Sequence, residues 1–147
     1  MATYNKFNSW VEHLCGAADV FGTAGSTADI LNAYLSNATP SASADTVKMD
    51  LAEITNQNGY TAPVGLANVG TRSAGTLTVT ATSFTVTATG AVGPFQYVVI
   101  DDVTLVNSPL VCWFDYASAV TLANGETFAV LFNGAASGAP GTLFTVA

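Results

Sequence analysis

The sequence predicts a mainly β protein, an antiparallel β-sandwich or barrel-like domain with an N-terminal amphipathic helix and one further short helix. From residue 76 to residue 90, threonine alternates with apolar side chains in the run TLTVTATSFTVTATG. A period of two is typical of strands that bury one face. Asn124-Gly125 and Asn133-Gly134 separate later apolar runs, and this dipeptide favours tight turns because both residues tolerate a positive φ.

The N-terminal segment, residues 4–15, predicts the amphipathic helix. Its apolar side chains recur at helical spacing, with polar side chains on the other side. The apolar positions are Tyr4, Phe7, Trp10, Val11 and Leu14. Docking of this helix on the protein's own sheet and docking on a neighbouring subunit are both open at this point.

The remaining elements follow from shorter patterns. We expect a first strand over residues 29–35 and a short helix over residues 45–54, with Asp45 as its N-cap. The near-duplicate segments 78–82 and 85–89 predict the two arms of a hairpin. Further strands are predicted at residues 95–100, 110–116, 127–132 and 142–146.

A stretch of small and Gly-rich residues, 16–28, predicts a mobile hinge. The predicted organisation is therefore an N-terminal helix or arm with its hinge over residues 1–28, followed by a single β-sandwich domain over residues 29–147. A chain of 147 residues is long enough for one domain with its own core.

Charge is scarce and mostly negative. Ten acidic residues face three basic ones, and the formal net charge is −7. Lys6, Lys48 and Arg72 are scattered along the chain, whereas binding to nucleic acid or to an anionic membrane needs clustered cations. We therefore expect neither partner. The start of the chain lacks the pattern of a signal peptide, and no apolar run approaches the ~20 residues of a membrane span.

Candidates for catalysis are few. His13 is the only histidine, and Cys15, two positions later, points to another side of a helix. Asp101, Asp102 and Asp115 could be considered calcium ligands, but the spaced acidic loop typical of such sites is missing. The sequence predicts no catalytic residue, no metal and no cofactor, and hence a protein that is not an enzyme.

Two cysteines, Cys15 and Cys112, leave two alternatives open. They could form a disulfide, or both could be buried free thiols. A protein assembled in a reducing cytosol favours the second alternative.

Five aromatic residues lie on two predicted neighbouring strands: Phe95, Tyr97, Trp113, Phe114 and Tyr116. Alternation places Trp113 on one face of its strand, and Phe114 on the other face with Cys112 and Tyr116. The first interpretation is that both sets fill a core. The second is an exposed aromatic stripe, which would mark a subunit contact or a platform for stacking on sugars.

Several segments resemble a family of small structural proteins encoded by tailed bacteriophages. These are residues 4–8 (YNKFN), 58–61 (NGYT), 93–97 (GPFQY), 113–116 (WFDY) and 121–128 (TLANGETF). The resemblance runs from end to end and is carried by turns and aromatic strand positions. It implies a virion component, assembled in the host cytoplasm, with no enzymatic residues. The Gly-rich stretch 16–28 departs from it, since a shorter link into the first strand would be expected.

Within that class we expect a capsid decoration (cement) protein, a homo-oligomer that stabilises the lattice of the major capsid protein or contacts other virion subunits. The predicted contact residues are Tyr4, Phe7, Trp10, Val11, Leu14, Phe21 and Trp113. Deletion of residues 1–28 is expected to abolish binding and to leave the sandwich folded. The alternatives are a tail, neck, vertex or fibre-base component, and a carbohydrate-binding adhesin that uses Trp113 or Tyr97.

Overall fold

The computed structural model describes residues 2–15 and 29–147. The predicted hinge over residues 16–28, with Phe21 in it, lies outside these residues. The strands are β1 (Thr3–Lys6), β2 (Leu31–Ser36), β3 (Val64–Leu66), β4 (Asn68–Ser73), β5 (Thr76–Thr82), β6 (Phe84–Thr87), β7 (Val92–Asp102), β8 (Leu110–Leu122), β9 (Thr127–Val130) and β10 (Pro140–Val146). The helix α1 spans Asn8–Cys15, and single 3-10 turns form at Lys48–Asp50 and Phe132–Gly134.

The strands form three antiparallel sheets, which confirms the mainly β, sandwich-like class. A five-stranded sheet has the order β1-β8-β7-β2-β3, a three-stranded sheet the order β10-β5-β4, and β6 pairs with β9. The sheets do not close into a barrel. One face of the five-stranded sheet packs against the two smaller sheets and forms the main core.

The central strand β7 is buried on both faces, so its side chains divide between two clusters. Val98 and Ile100 point into the main core, whereas Tyr97 and Val99 point into a second cluster on the opposite face. Period-two alternation produces this division. A register shift between Phe95 and Tyr97 places Phe95 in the main core as well.

The second cluster is covered by the long connection between β2 and β3. Tyr34 Oη donates to the carbonyl of Leu51 at 3.4 Å, and Ser36 Oγ donates to the carbonyl of Ala52 at 2.6 Å. The Phe7 and Trp113 rings pack with centroids 4.6 Å apart in the same cluster. The interpretation that aromatics fill cores on both faces of β8 is thereby confirmed for Trp113.

The N-terminal segment differs from the predicted continuous helix. Residues 3–6 form β1, which adds to the edge of β8 with Tyr4 opposite Phe114, and the helix begins only at Asn8. The edge of β8 offers hydrogen-bond partners to the backbone of residues 3–6, which a short isolated helix would lack. Phe7 is fully buried, and Trp10 is 4% exposed. Deletion of residues 1–28 would remove a strand and two core side chains, so we expect it to weaken the sandwich as well.

The predicted helix over residues 45–54 is a single 3-10 turn, Lys48–Asp50. Asp45 does not cap it, because its carboxylate accepts a hydrogen bond from the Ser41 amide at 2.7 Å. The Asp50 carboxylate instead accepts from the backbone amides of Thr46 and Val47 at 2.9 and 3.1 Å. These side chain–backbone bonds compete with helical ones and keep the segment short.

The Thr-rich repeat does not form the predicted hairpin. β5 pairs with β4 and β10, and β6 pairs with β9. Only Ser83 separates β5 from β6, which leaves no room for a reversing turn, so the chain passes from one sheet to another. Ser83 is buried, and its Oγ accepts from the Phe132 amide at 3.0 Å. The four later predicted strands are confirmed as β7 to β10.

Candidate interaction site between two sheet edges

A groove of about 760 Å³ runs between the N-terminal segment and the last strand. We name it the edge groove. It is lined by residues 4–6 of β1, by Trp10, Val11 and Leu14 of α1, and by residues 143–147, which form the end of β10 and the position after it. The two ends of the described chain thus build one surface.

Both strands that line the edge groove are outer strands of their sheets. β1 is bonded to β8 on one side, and β10 is bonded to β5 on one side; no described strand pairs with the other side of either. Outer strands leave alternate N–H and C=O groups without sheet partners. The edge groove therefore lies between the outer strands of two sheets of the described part of the chain.

The lining combines apolar side chains with the polar Asn5 and Thr145 and with one cation. Lys6 carries the only side-chain charge at neutral pH among the lining residues. Tyr4, Val11 and Val146 are exposed to 39%, 38% and 37%. An apolar surface with so little charge loses little solvation energy when a partner covers it.

Trp10 forms the buried wall of the edge groove. Its ring packs edge-on against Phe144, with centroids 4.7 Å apart. Its indole Nε1 is buried and donates to no acceptor among the described residues. Buried indole N–H groups usually have a partner.

The structure places the described residues among the sequence-predicted contacts in two regions. Tyr4, Val11 and Leu14 line the edge groove together with Trp10. Phe7 and Trp113 belong to the buried second cluster. Residues 143–147 of the groove were missed, because nothing in their local pattern indicates that the last strand lies beside the first.

The proposed sugar platform has no exposed ring face at the residues chosen for it. Trp113 and Tyr97 are exposed to only 8% and 7%. The exposed aromatic of β8 is Tyr116, half exposed, which packs edge-on against Phe128 with centroids 5.6 Å apart.

The acidic residues considered as calcium ligands are not brought together. Asp101 lies opposite Leu110 on β8, whereas Asp115 lies opposite Tyr97, four positions along β7. At ~3.3 Å per residue that separation is far longer than a shared ion allows. Among residues 2–15 and 29–147, no three His, Cys, Asp or Glu side chains form a group able to hold a metal.

Asp101 is nevertheless unusual, because it is fully buried and neither carboxylate oxygen accepts a hydrogen bond from another described residue. Burial raises its pKa to about 6, although the charge of Lys48 acts in the opposite direction. Lys48 Nζ lies 3.0 Å from Glu53 Oε2 and 5.0 Å from the centre of the Tyr34 ring. Lys48 and Glu53 both act electrostatically on Asp101, so they lie near it in the fold.

Cys112 is a buried free thiol, and burial raises its pKa well above the ordinary value. The side chain of Cys15 lies outside the description. His13 lies on α1 with its Nδ1 buried and without a hydrogen-bond partner among the described residues.

No protein-family model matches the sequence, and no curated protein or solved structure matches it either. No described helix is long and apolar enough to cross a membrane. The edge groove, which lies between the outer strands of two sheets and carries little charge, is the surface on which a function can be based.

Proposed function

We propose that this chain is a structural component of a bacteriophage virion, a capsid decoration protein that binds the major capsid lattice and stabilises it through subunit contacts. The proposal begins from the resemblance of residues 4–8, 93–97, 113–116 and 121–128 to such proteins. The single observation in the fold that supports it best is the edge groove, a sparsely charged surface that lies between the outer strands of two sheets.

The scarcity of charge favours a protein whose surface is covered by other subunits. Only 13 of 147 residues carry a formal charge, against about a quarter in ordinary soluble domains. Desolvating Thr, Ser and Ala surfaces costs far less than desolvating ions. A decoration protein gains from this composition, because each copy has to cover lattice surface without strong electrostatic penalties.

The exposed apolar side chains give further support. Besides those of the edge groove, Met49 and Val106 are exposed to 90% and 85%. Both lie at the end of the sheet where the β7–β8 connection meets the 3-10 turn, since the Lys48 amide donates to the Ser108 carbonyl at 2.9 Å. A protein with two separate apolar regions can bridge two neighbouring subunits.

Copy number in purified virions tests the proposal. Quantitative mass spectrometry should find this chain at an abundance comparable with that of the major capsid protein. A few tens of copies would replace decoration by a tail, neck or vertex role. Absence from the virion would overturn the structural role altogether.

A further inference from the structure

We propose that Lys48 exchanges ion-pair partners with pH: its ammonium group pairs with Glu53 in mild acid and with the buried carboxylate of Asp101 at neutral pH. The exchange leaves the Glu53 carboxylate unpaired at neutral pH. The inference goes beyond the virion proposal and does not depend on it, because it concerns a charge switch inside the fold, whichever assembly contains the chain.

The Asp101 carboxyl group is buried without a partner. Its side chain has no exposed surface, and neither oxygen accepts a hydrogen bond from another described residue. Asp101 lies two positions after Val99, whose side chain belongs to the second cluster, so alternation places both side chains on the face covered by the β2–β3 connection. An ionised carboxylate in this position is costly unless a cation approaches it.

Lys48, on that connection, is the cation that can approach. Its charge favours the ionised form of Asp101, yet its Nζ forms an ion pair with Glu53 Oε2 at 3.0 Å and none with Asp101. The Nζ atom also lies 5.0 Å from the centre of the Tyr34 ring, and Tyr34 is paired with Val99 beside Asp101. The flexible four-carbon stem of a lysine allows Nζ to move between two neighbouring carboxylates.

Burial decides which of the two ion pairs is preferred. The side chains of Lys48 and Glu53 are 28% and 26% exposed, and Glu53 Oε2 accepts no hydrogen bond although Nζ lies within ion-pair distance. A partly exposed ion pair without hydrogen-bond alignment contributes little to stability, whereas an unpaired buried carboxylate is costly. Lys48 should therefore stay with Glu53 while Asp101 is protonated, and should move to Asp101 once that group ionises.

The other titratable groups near Asp101 cannot supply a positive charge. Glu53 and Asp102 are acids whose negative charge opposes ionisation of Asp101. The phenol of Tyr34 stays protonated, because burial raises its pKa far above the ordinary value. The groups that act on Asp101 or on the adjacent Tyr34 are Lys48, Glu53, Asp102, Asp45 and Tyr60. Among these, the positive charge that can respond to Asp101 is that of Lys48.

The exchange changes the charge of a second surface groove, of about 570 Å³, which shares no residue with the edge groove. Lys48 and Glu53 line it together with Met49, Leu51, Ala52, Ile54, Thr55 and Ser108. In mild acid the ion pair in this groove is neutral. At neutral pH, with Lys48 turned toward Asp101, the groove holds an uncompensated carboxylate.

Carbon-13 NMR of the carboxyl groups of the full-length protein follows the exchange, with signals assigned through Asp101→Asn and Glu53→Gln. The Asp101 signal should titrate with a pKa of about 6. The Glu53 signal should show a step at the same midpoint, because Lys48 leaves Glu53 as Asp101 ionises. Asp101→Asn should abolish that step, and a step that persists in this variant would contradict the exchange.

Lys48→Met and Lys6→Met form a matched pair of variants. Lys48→Met removes the mobile cation, so the Asp101 midpoint should rise by about one pH unit and the Glu53 step should disappear. Lys6 is exposed on β1, which β8 separates from β7, and Lys6→Met should leave both signals unchanged. A Glu53 step of undiminished size in Lys48→Met would show that the two carboxylates sense each other directly, and would overturn the exchange.

Crystal structures at about pH 5 and about pH 8 show the position of the ammonium group on either side of the Asp101 midpoint. We expect Lys48 Nζ beside Glu53 Oε2 in the first structure and within about 3 Å of an Asp101 oxygen in the second. An Nζ atom that remains on Glu53 at the higher pH would overturn the inference.

Discussion

The carboxylate of Asp101 shows how a single residue can make this fold sensitive to pH. Its side chain is fully buried on β7, near Lys48, Glu53, Asp102 and Tyr34. Burial raises its pKa from 3.8 to about 6 in the folded state. Below about pH 4 the group is protonated whether the chain is folded or not. As the pH rises through 6, the folded state holds a buried carboxylate and loses stability.

We therefore expect Asp101→Asn to stabilise the protein at neutral pH. One pKa unit corresponds to 1.36 kcal/mol, so the free energy of unfolding should rise by about 1 to 2 kcal/mol at pH near 7.5. The wild type should gain about 1 kcal/mol on lowering the pH from about 7.5 to about 5, and the variant should lose that dependence. Urea denaturation at both pH values measures the two effects.

Glu12→Gln is the matched control for Asp101→Asn. Glu12 is exposed on α1, so the substitution removes the same charge without touching a buried carboxylate. Its pH dependence should follow that of the wild type. An Asp101→Asn variant that is less stable than the wild type at neutral pH would show that the carboxylate makes favourable interactions outweighing its burial.

The thiol of Cys112 should be inert in the folded protein. It is fully buried, and its raised pKa keeps it protonated at pH 8, whereas thiolates are the reactive form. In a Cys15→Ser protein, a disulfide-exchange reagent should label no thiol under native conditions and one thiol in denaturant. Rapid native labelling would show that the strand β8 opens or that Cys112 is exposed.

At the scale of secondary-structure elements, the sequence predicted most reliably where side-chain alternation and turn chemistry agreed. β7 to β10 followed from β-branched and aromatic runs separated by turn residues. β3 and β4 were missed, because the segment VGLANVGTRS contains few alternating apolar residues. Tyr4 has a helical spacing relative to Phe7, but the free edge of β8 determined its conformation. Pairing between strands that are distant in the chain leaves no pattern in the local sequence.

The N-terminal segment is an integral part of the fold, and Phe7→Ala tests this. Phe7 is fully buried against Trp113, so its truncation should lower the free energy of unfolding by about 3 to 5 kcal/mol. Val11→Ala, on the exposed side of α1, should cost less than about 1 kcal/mol. Chemical denaturation compares the two. Similar small losses would mean that the segment is only loosely attached.

The packing of β10 on the Phe132–Gly134 turn depends on the absence of a side chain at Gly141. A Cβ there would collide with the Phe132 carbonyl and lie 2.9 Å from the Ala135 methyl group. Gly141→Ala should therefore cost more than about 2 kcal/mol of stability. At Gly65 on β3 an added Cβ meets only the Asn32 side chain at 3.8 Å, so Gly65→Ala is the control and should be nearly neutral. Thermal unfolding of both variants measures the two changes in stability.

For the molecule as a whole, composition predicted the low-charge surface but not the site. The edge groove combines the first strand, the helix and the last strand, which are more than a hundred residues apart in sequence. Its position depends on which strands become outer strands of two different sheets. Strand order is set by the packing of all sheets together, and period-two patterns carry no information about it. The helical pattern of the sequence predicted four of the groove-lining residues, Tyr4, Trp10, Val11 and Leu14. Only the fold shows that residues 143–147 line the groove as well.

Acidification is expected to promote both the association of the folded protein and its stability, for two different reasons. The net charge of −7 keeps copies apart at neutral pH, and the isoelectric point near 4.1 removes that repulsion in mild acid. Light scattering should show net repulsion between molecules at about pH 7.5 and net attraction near the isoelectric point, because unpaired edges and apolar side chains then approach freely. Over the higher part of this range, down to about pH 5, the unfolding free energy should rise through the protonation of Asp101. Attraction accompanied by loss of stability over that interval would mean that partial unfolding, and not the native surface, drives association.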